Sequence, residues 1–450
     1  MALMAAIAFK PKASRPPPRG TAGTLGWLRS HLFYSWWSSL LTLVVGYLLV
    51  SLLASLYDWG IANAVWEANS RRQCLDTSPH GACWASIGLW FKSFLYGRYP
   101  ASEHWRIKLS FIMLVLWLIP LLLPRVRAKS TIAISAAIVF PFLATYLLSG
   151  GDRGWLMQVM VPLGIIVFAM NGLHVVLCLA TERSLADCLS RLAGVERRNQ
   201  TIRWLVVAAA CVVVTALAGA LLSEWTLVRV KTNLWGGLFV TFLIAGVGVV
   251  VSLPGGVILA LTRRSRMPFM RACAIAYIEL VRSVPLITVL FFAVTMTPLF
   301  LPPEVALDKL VLVLTAVSLF SSAYMAEVVR GGLQAVPLGQ FEAAQSVGLG
   351  YWHMMRLIVL PQALKHMIPN IASQYIGLFK DTTVVSIVGL YDFLLMLRVP
   401  GQNPIWIGLY VEPFVFGGAV YFSLCFAISK YSQLLERRGG STAGARIRPL

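Results

Sequence analysis

The apolar residues of this chain come in long, nearly uninterrupted runs. A helix that crosses a bilayer needs about 20 such residues. Runs of that order lie at Trp36–Leu56, Trp105–Leu123, Thr131–Ser149, Trp155–Ala180 and Trp204–Leu222. Five more lie at Trp235–Leu261, Val284–Leu301, Leu310–Val329, Met367–Leu390 and Tyr410–Ser429. The pattern predicts an all-α polytopic membrane protein with about ten transmembrane helices. The run Ser86–Tyr96 is too short to span and reads as interfacial.

Composition agrees. Of 450 residues, 58% are hydrophobic and only 12% charged, against about 25% charged in a soluble domain. The net charge of +20 invites a nucleic-acid reading, because basic patches neutralise phosphates. The distribution argues against it, since Lys and Arg sit in short clusters between apolar runs. With the N-terminus placed inside, 26 of the 38 Lys and Arg fall in six inside segments. That excess predicts both termini in the cytoplasm. The Pro16-Pro17-Pro18 tail and the end after Arg438 read as disordered.

The chain divides at the sequence level into a cytoplasmic basic tail (1–35), extra N-terminal spans (36–223) and a C-terminal core (233–436). A periplasmic loop (57–104) interrupts the N-terminal spans, and a cytoplasmic tail (437–450) ends the chain. The first apolar run is long enough to remain in the membrane, so no cleavable signal peptide is expected. No G-x-x-x-x-G-K-[ST] occurs, so ATP phosphates are not cradled here. No H-E-x-x-H, zinc-spaced cysteine set or nucleophile elbow is present. The reading assigns no catalytic residue, metal or cofactor.

The richest stretch follows the eighth run. Pro337 suits the first turn of a helix, Gly348 and Gly350 break that helix, and Pro361 ends a second piece. Two short helices are thereby expected on the cytoplasmic side, with Ala343 and Ala344 giving the first a slim face. Glu342, Ala343, Ala344, Gly348, Ile358, Leu360 and Pro361 resemble the EAA loop of ABC-importer permeases without a departure from its pattern. Glu279–Pro285, Ala323–Gly332, the Lys380-Asp381-Thr382-Thr383 run and Leu435–Arg438 are similar to the polar-amino-acid branch of that family, with Thr383 where the branch has Ser. The Gly81–Trp84 loop and the extra spans resemble the larger membrane subunit of general L-amino-acid transporters.

The resemblance implies a type-1 permease core of five helices, and a loop that couples to a cytoplasmic ABC ATPase dimer. It implies as further partners a second, shorter permease and a periplasmic amino-acid-binding protein, in the bacterial inner membrane. L-amino acids would be the cargo and no covalent bond would be made or broken. A secondary transporter driven by an ion gradient is the alternative, but the two halves look dissimilar and leave the loop without a purpose. Cys74 and Cys83 share the first outside loop, and the oxidising periplasm makes a disulfide the expectation.

Ionisable groups inside spans are costly, about 2.5–3.5 kcal/mol each on insertion scales. Lys380, Asp381 and Glu327 are therefore candidates for the substrate path. Arg282 and Glu279 read as anchors at the membrane edge. The N-terminal spans carry few charges and are expected to pack outside the core, with Ala208, Ala209, Ala210, Ala216, Ala218, Gly219 and Ala220 allowing close helix contact.

Overall fold

The computed structural model describes residues 24–123, 126, 129–151, 155–181, 227–302, 304–305 and 307–444. Expectations for Pro16–Pro18, for the run Trp204–Leu222 and for its small residues lie outside the described residues. The chain divides into two compact units, Met1–Ser86 and Ile87–Leu450.

In the first unit, helix α1 (Thr24–His31) precedes α2 (Trp36–Tyr57), which runs on through a wider turn to Ala62. No residue of α2 is buried. Leu, Val and Tyr face outward around its whole girth, as on a helix solvated by lipid. A short helix, α3 (Arg71–Thr77), is capped by Ser70, whose hydroxyl accepts from Gln73 N. Cys74 and Cys83 are joined by a disulfide, with Cα atoms 5.9 Å apart. Val65 donates to Ala82 O at 2.8 Å and accepts from Trp84 N at 2.9 Å. Trp84 lies near both Trp59 and Trp66, at 5.9 and 6.3 Å between ring centroids.

The second unit takes in most of α4 (Ala85–Tyr96), then α5 (His104–Leu122), α6 (Lys129–Ser149) and α7 (Trp155–Thr181). Trp117 of α5 is buried edge-on between Phe140 of α6 and Phe168 of α7. Asn171 donates to the Ser135 hydroxyl at 2.9 Å, a polar tie between α7 and α6.

The remaining helices are α8 (Gly237–Arg263), α9 (Pro268–Ser283), α10 (Leu286–Phe291), α11 (Lys309–Ala335), α12 (Leu338–Ser346) and α13 (Tyr351–Met354). After them come α14 (Leu360–His366), α15 (Ile368–Asp381), α16 (Phe393–Gln402) and α17 (Val411–Gly444). Helices α8 and α11 form the central pair. A Cβ at Gly256 would stand 2.7 Å from Met325 Cβ, so only glycine allows that approach. Close contact through small residues is the usual glue between helices in lipid, where water exclusion supplies no drive. Around the pair, Ile244, Leu290, Val313, Val317, Leu378 and Val385 form one core cluster. Tyr99 and Ile107 join it, and Phe111 meets Phe239 and Phe242. The segment before α5, α5 itself and the end of α6 thus pack on α8.

Among the described residues six helices are long and apolar enough to cross a membrane: Trp36–Ala62, Ala101–Leu121, Thr131–Ser149, Gly237–Arg263, Lys309–Ala335 and Val411–Arg437. A seventh crossing is available if the pair Pro268–Ser283 and Leu286–Phe300, bent by 106°, counts as one. The expected run Val284–Leu301 is the second arm of that pair. The run Met367–Leu390 is not a uniform helix: α15 gives way at Thr382 to a 3-10 segment reaching Val388. The hydroxyls of Thr382, Thr383 and Ser386 donate to carbonyls three residues back, which favours the tighter turn. At the C-terminus the helix expected to stop near Arg438 continues to Gly444.

Candidate functional site

The segment 336–366 forms a compact platform at the end of α11. Pro337 (φ −58°, ψ 140°) stands just before α12 rather than within its first turn. The helix closes with Gly348 N donating to Gln345 O at 2.9 Å and Leu349 N to Ala344 O at 3.1 Å. Gly348 has φ +81° and open space where a Cβ would stand, so its requirement lies in the backbone angle alone. Gly350 is extended (φ −66°, ψ 159°), and nothing in its conformation demands glycine.

Pro361 does not end the second piece. The helix of α13 runs through a wide π turn, Met355–Val359, directly into α14, with Pro361 in the first turn of the latter. Proline has no N–H for the carbonyl four residues back and its ring crowds that carbonyl. A widened turn immediately upstream accommodates both without breaking the rod.

The loop residues split between two faces. Ala344 is 2% exposed and packs with Met354, Met355, Val359 and Ala363 against Val329, Leu333 and Val336 of the α11 end. Ile358 and Leu360 pack on the same cluster, and Ala260 of α8 belongs to it. Only Glu342 and Ala343 of the Glu-Ala-Ala triplet face outward. Leu338, Val347 and Trp352 are exposed beside them, at 76%, 80% and 70%. These three apolar positions were not singled out from the sequence. Gln362 donates to Gln340 at 3.1 Å, tying α14 to α12. The Arg264 guanidinium lies 5.9 Å from the Phe341 ring centroid, tying α8 to α12.

Just inside the platform, Glu327 is the hub of a charge cluster. Arg263 of α8 donates to it at 2.5 Å and Arg330 donates through two nitrogens at 2.6 and 2.8 Å. Arg282 of α9 stands 3.6 Å away. Arg263 also reaches Glu279 at 3.1 Å, so one guanidinium bridges two carboxylates. Sequence reasoning had Glu279 and Arg282 as edge anchors, and they do tie α9 to this hub. Glu327 itself is engaged by three arginines.

Lys380 and Asp381 stand at the end of α15, Lys380 exposed and Asp381 half-buried. Among the described residues no hydrogen bond or ion pair joins either side chain to a partner, and none links them to Glu327. The expected substrate-path trio is thus not brought together at one point. Among the described residues no group of three or more His, Cys, Asp or Glu side chains could hold a metal.

Residues 252–439 match the family described as the binding-protein-dependent transport system inner membrane component. Over 94% of its length the chain is 35% identical to the inner membrane amino-acid ABC transporter permease protein YhdY of Escherichia coli K12, covering 95% of that protein. Over 95% of its length it is 38% identical to the glutamate/glutamine/aspartate/asparagine transport system permease protein BztC of Rhodobacter capsulatus, covering 96% of it. A solved amino acid ABC transporter with histidines covers 45% of the chain and 92% of its own, at 30% identity and a TM-score of 0.41.

Proposed function

This chain belongs to the amino-acid permeases of ABC importers, and on that premise we propose that its platform at 337–361 is the element through which a separate ATPase drives it. The chain is a membrane-spanning permease subunit for ATP-driven import of amino acids. One observation carries the coupling assignment. Ala344 is locked into a cluster shared by α11 and α8, while Glu342, Leu338, Val347 and Trp352 of the same segment stand free. A push on the free face is delivered without slack to the two central helices, because packed cores transmit displacement rather than absorb it.

Glu342, Ala343 and Gly348 make the ATPase contact in this reading, and Ala344, Ile358, Leu360 and Pro361 hold the platform. Lys380 and Asp381 line the substrate path, since a cation without a partner at membrane depth faces a polar passage or a neighbouring subunit rather than lipid. Both termini lie in the cytoplasm with the platform. The partners are a cytoplasmic ATPase dimer, a second and shorter permease, and a periplasmic amino-acid-binding protein. Cargo resembling that named for BztC, polar amino acids including acidic ones, is the substrate class we assign. The spans before residue 223 act as a scaffold for the core at 233–436.

Cysteine placed at Val347 should cross-link to the ATPase subunit, and Trp352→Asp should abolish ATP-driven uptake in proteoliposomes at unchanged protein level. Full uptake in Trp352→Asp with no cross-link would overturn the coupling assignment. Uptake that runs on an ion gradient without the ATPase would favour the secondary-transporter alternative.

A further inference from the structure

At the end of α11 opposite the platform lies a cavity of about 480 Å³, within the size range of small-molecule sites, about 300–1,000 Å³. Helix α11 has 27 residues and is therefore about 40 Å long. Cavity and platform stand at opposite ends of this helix. The walls come from five separate stretches: the turn after α4, the end of α6, the run leading into α8, the start of α11, and the residues after the 3-10 segment.

Arg98, Arg229, Lys231 and Lys309 line this cavity against a single carboxylate, Asp308. That carboxylate is already engaged, accepting from Leu310 N at 2.8 Å and from the Thr232 hydroxyl. Two of the cations are held in place. The Arg98 guanidinium sits 3.8 Å from the Tyr391 ring centroid and donates to Asn233 O at 3.0 Å. Lys309 donates to Val388 O at 3.2 Å. Trp235 lines the same cavity, is 6% exposed, and its Nε1–H has no partner among the described residues. Unbalanced positive charge, fixed donors and an unpartnered N–H are what a carboxylate completes.

We propose that this cavity is an outer receiving site for amino acids with a carboxylate side chain. A neutral amino acid brings an ammonium with its one carboxylate and gains little net attraction from four cations. An acidic one brings a second carboxylate, and the focused field of the cavity raises its local concentration. The concave shape suits a small ligand; a docking protein needs about 800 Å² of surface per partner. The proposal rests on the amino-acid permease reading and adds a charge preference within the permease itself.

The purified full chain in nanodiscs, titrated with L-glutamate and L-glutamine, tests it. Glutamate should bind about tenfold more tightly than glutamine, with the preference falling as salt rises. Arg229→Gln with Lys231→Gln, both exposed positions, should remove that preference. Thermal unfolding of the double variant in the same nanodiscs should match that of the parent, which certifies the fold. Equal binding of the two amino acids, no binding of glutamate, or unchanged preference in the double variant would each overturn the site. So would intact glutamate binding with lost stimulation by the binding protein, which assigns the cavity to docking. Failure of the parent to show ATP-driven uptake of any amino acid would instead overturn the permease reading.

Discussion

Glu327 and Arg263 are separated by 64 positions in the chain, yet their side chains meet at 2.5 Å where α8 and α11 converge above the platform. The contact joins the last turn of one central helix to the other, and Arg282 and Arg330 share the same carboxylate. Whatever moves the platform must move this cluster.

Replacing Glu327 by Gln leaves three arginines facing one another with only Glu279, held by Arg263, as counter-charge. A dry pair broken this way costs about 3–5 kcal/mol. Arg282 and Arg330 are 35% and 37% exposed, so screening lowers the expected loss to about 2 kcal/mol. Thermal unfolding of the detergent-solubilised protein should show that loss, and uptake should fall. The double variant Glu327→Gln with Arg263→Gln should recover part of both.

Gly348→Val forces a β-branched residue to adopt φ +81°. The strain is of order 1–3 kcal/mol and local to the loop. Membrane levels should stay normal while ATP-driven uptake is lost. Because the space around the glycine is open, Gly348→Asn, which tolerates the left-handed region, should retain much more uptake than Val. Equal uptake in the two variants would remove the backbone argument.

Cys74 and Cys83 should resist alkylation in unfolded, unreduced protein and react fully after reduction. The bridge spans a sequence separation of nine, so the loss on Cys74→Ser with Cys83→Ser should be modest, about 2 kcal/mol or less. Quantitative labelling before reduction would exclude the bridge in the native protein.

Asp392 lies outside the spanning helices, is fully buried, and caps α16 by accepting from Leu394 N and Leu395 N. Burial pushes its carboxyl up from 3.8 to about 7, although the two backbone N–H groups pull the other way. A group whose folded pKa is raised favours folding most below its unfolded value, and that contribution is lost as pH rises through the folded one. Stability should therefore decline from about pH 4 to about pH 7. Asn is an equally good cap, so Asp392→Asn should flatten that decline and melt higher than the parent near neutral pH. A parallel pH dependence in the two proteins would disprove the role.

The platform was legible in the sequence because its logic is local. A Glu-Ala-Ala triplet with a glycine four residues on specifies a short helix and the turn that closes it, through the backbone angle at Gly348. Long apolar runs likewise announced helices such as Trp36–Ala62, Gly237–Arg263 and Lys309–Ala335, since lipid demands about 20 such residues whatever the helix packs against. Other features needed the fold. Whether Ala343 or Ala344 faces outward depends on the angle at which α12 lies on α11, which triplet composition does not encode. Pro361 was expected to stop a helix, but the cost of a missing N–H was absorbed by a widened turn at Met355–Val359. Glu327 read as a candidate for the substrate path, and only the fold shows α8 and α9 bringing it Arg263 and Arg282. The basic cavity is assembled from residues as far apart as Arg98 and Tyr391. Sequence determines where chain enters lipid and where it must turn; which charges meet is decided only when distant helices share a surface, because electrostatic partnership depends on distance in space.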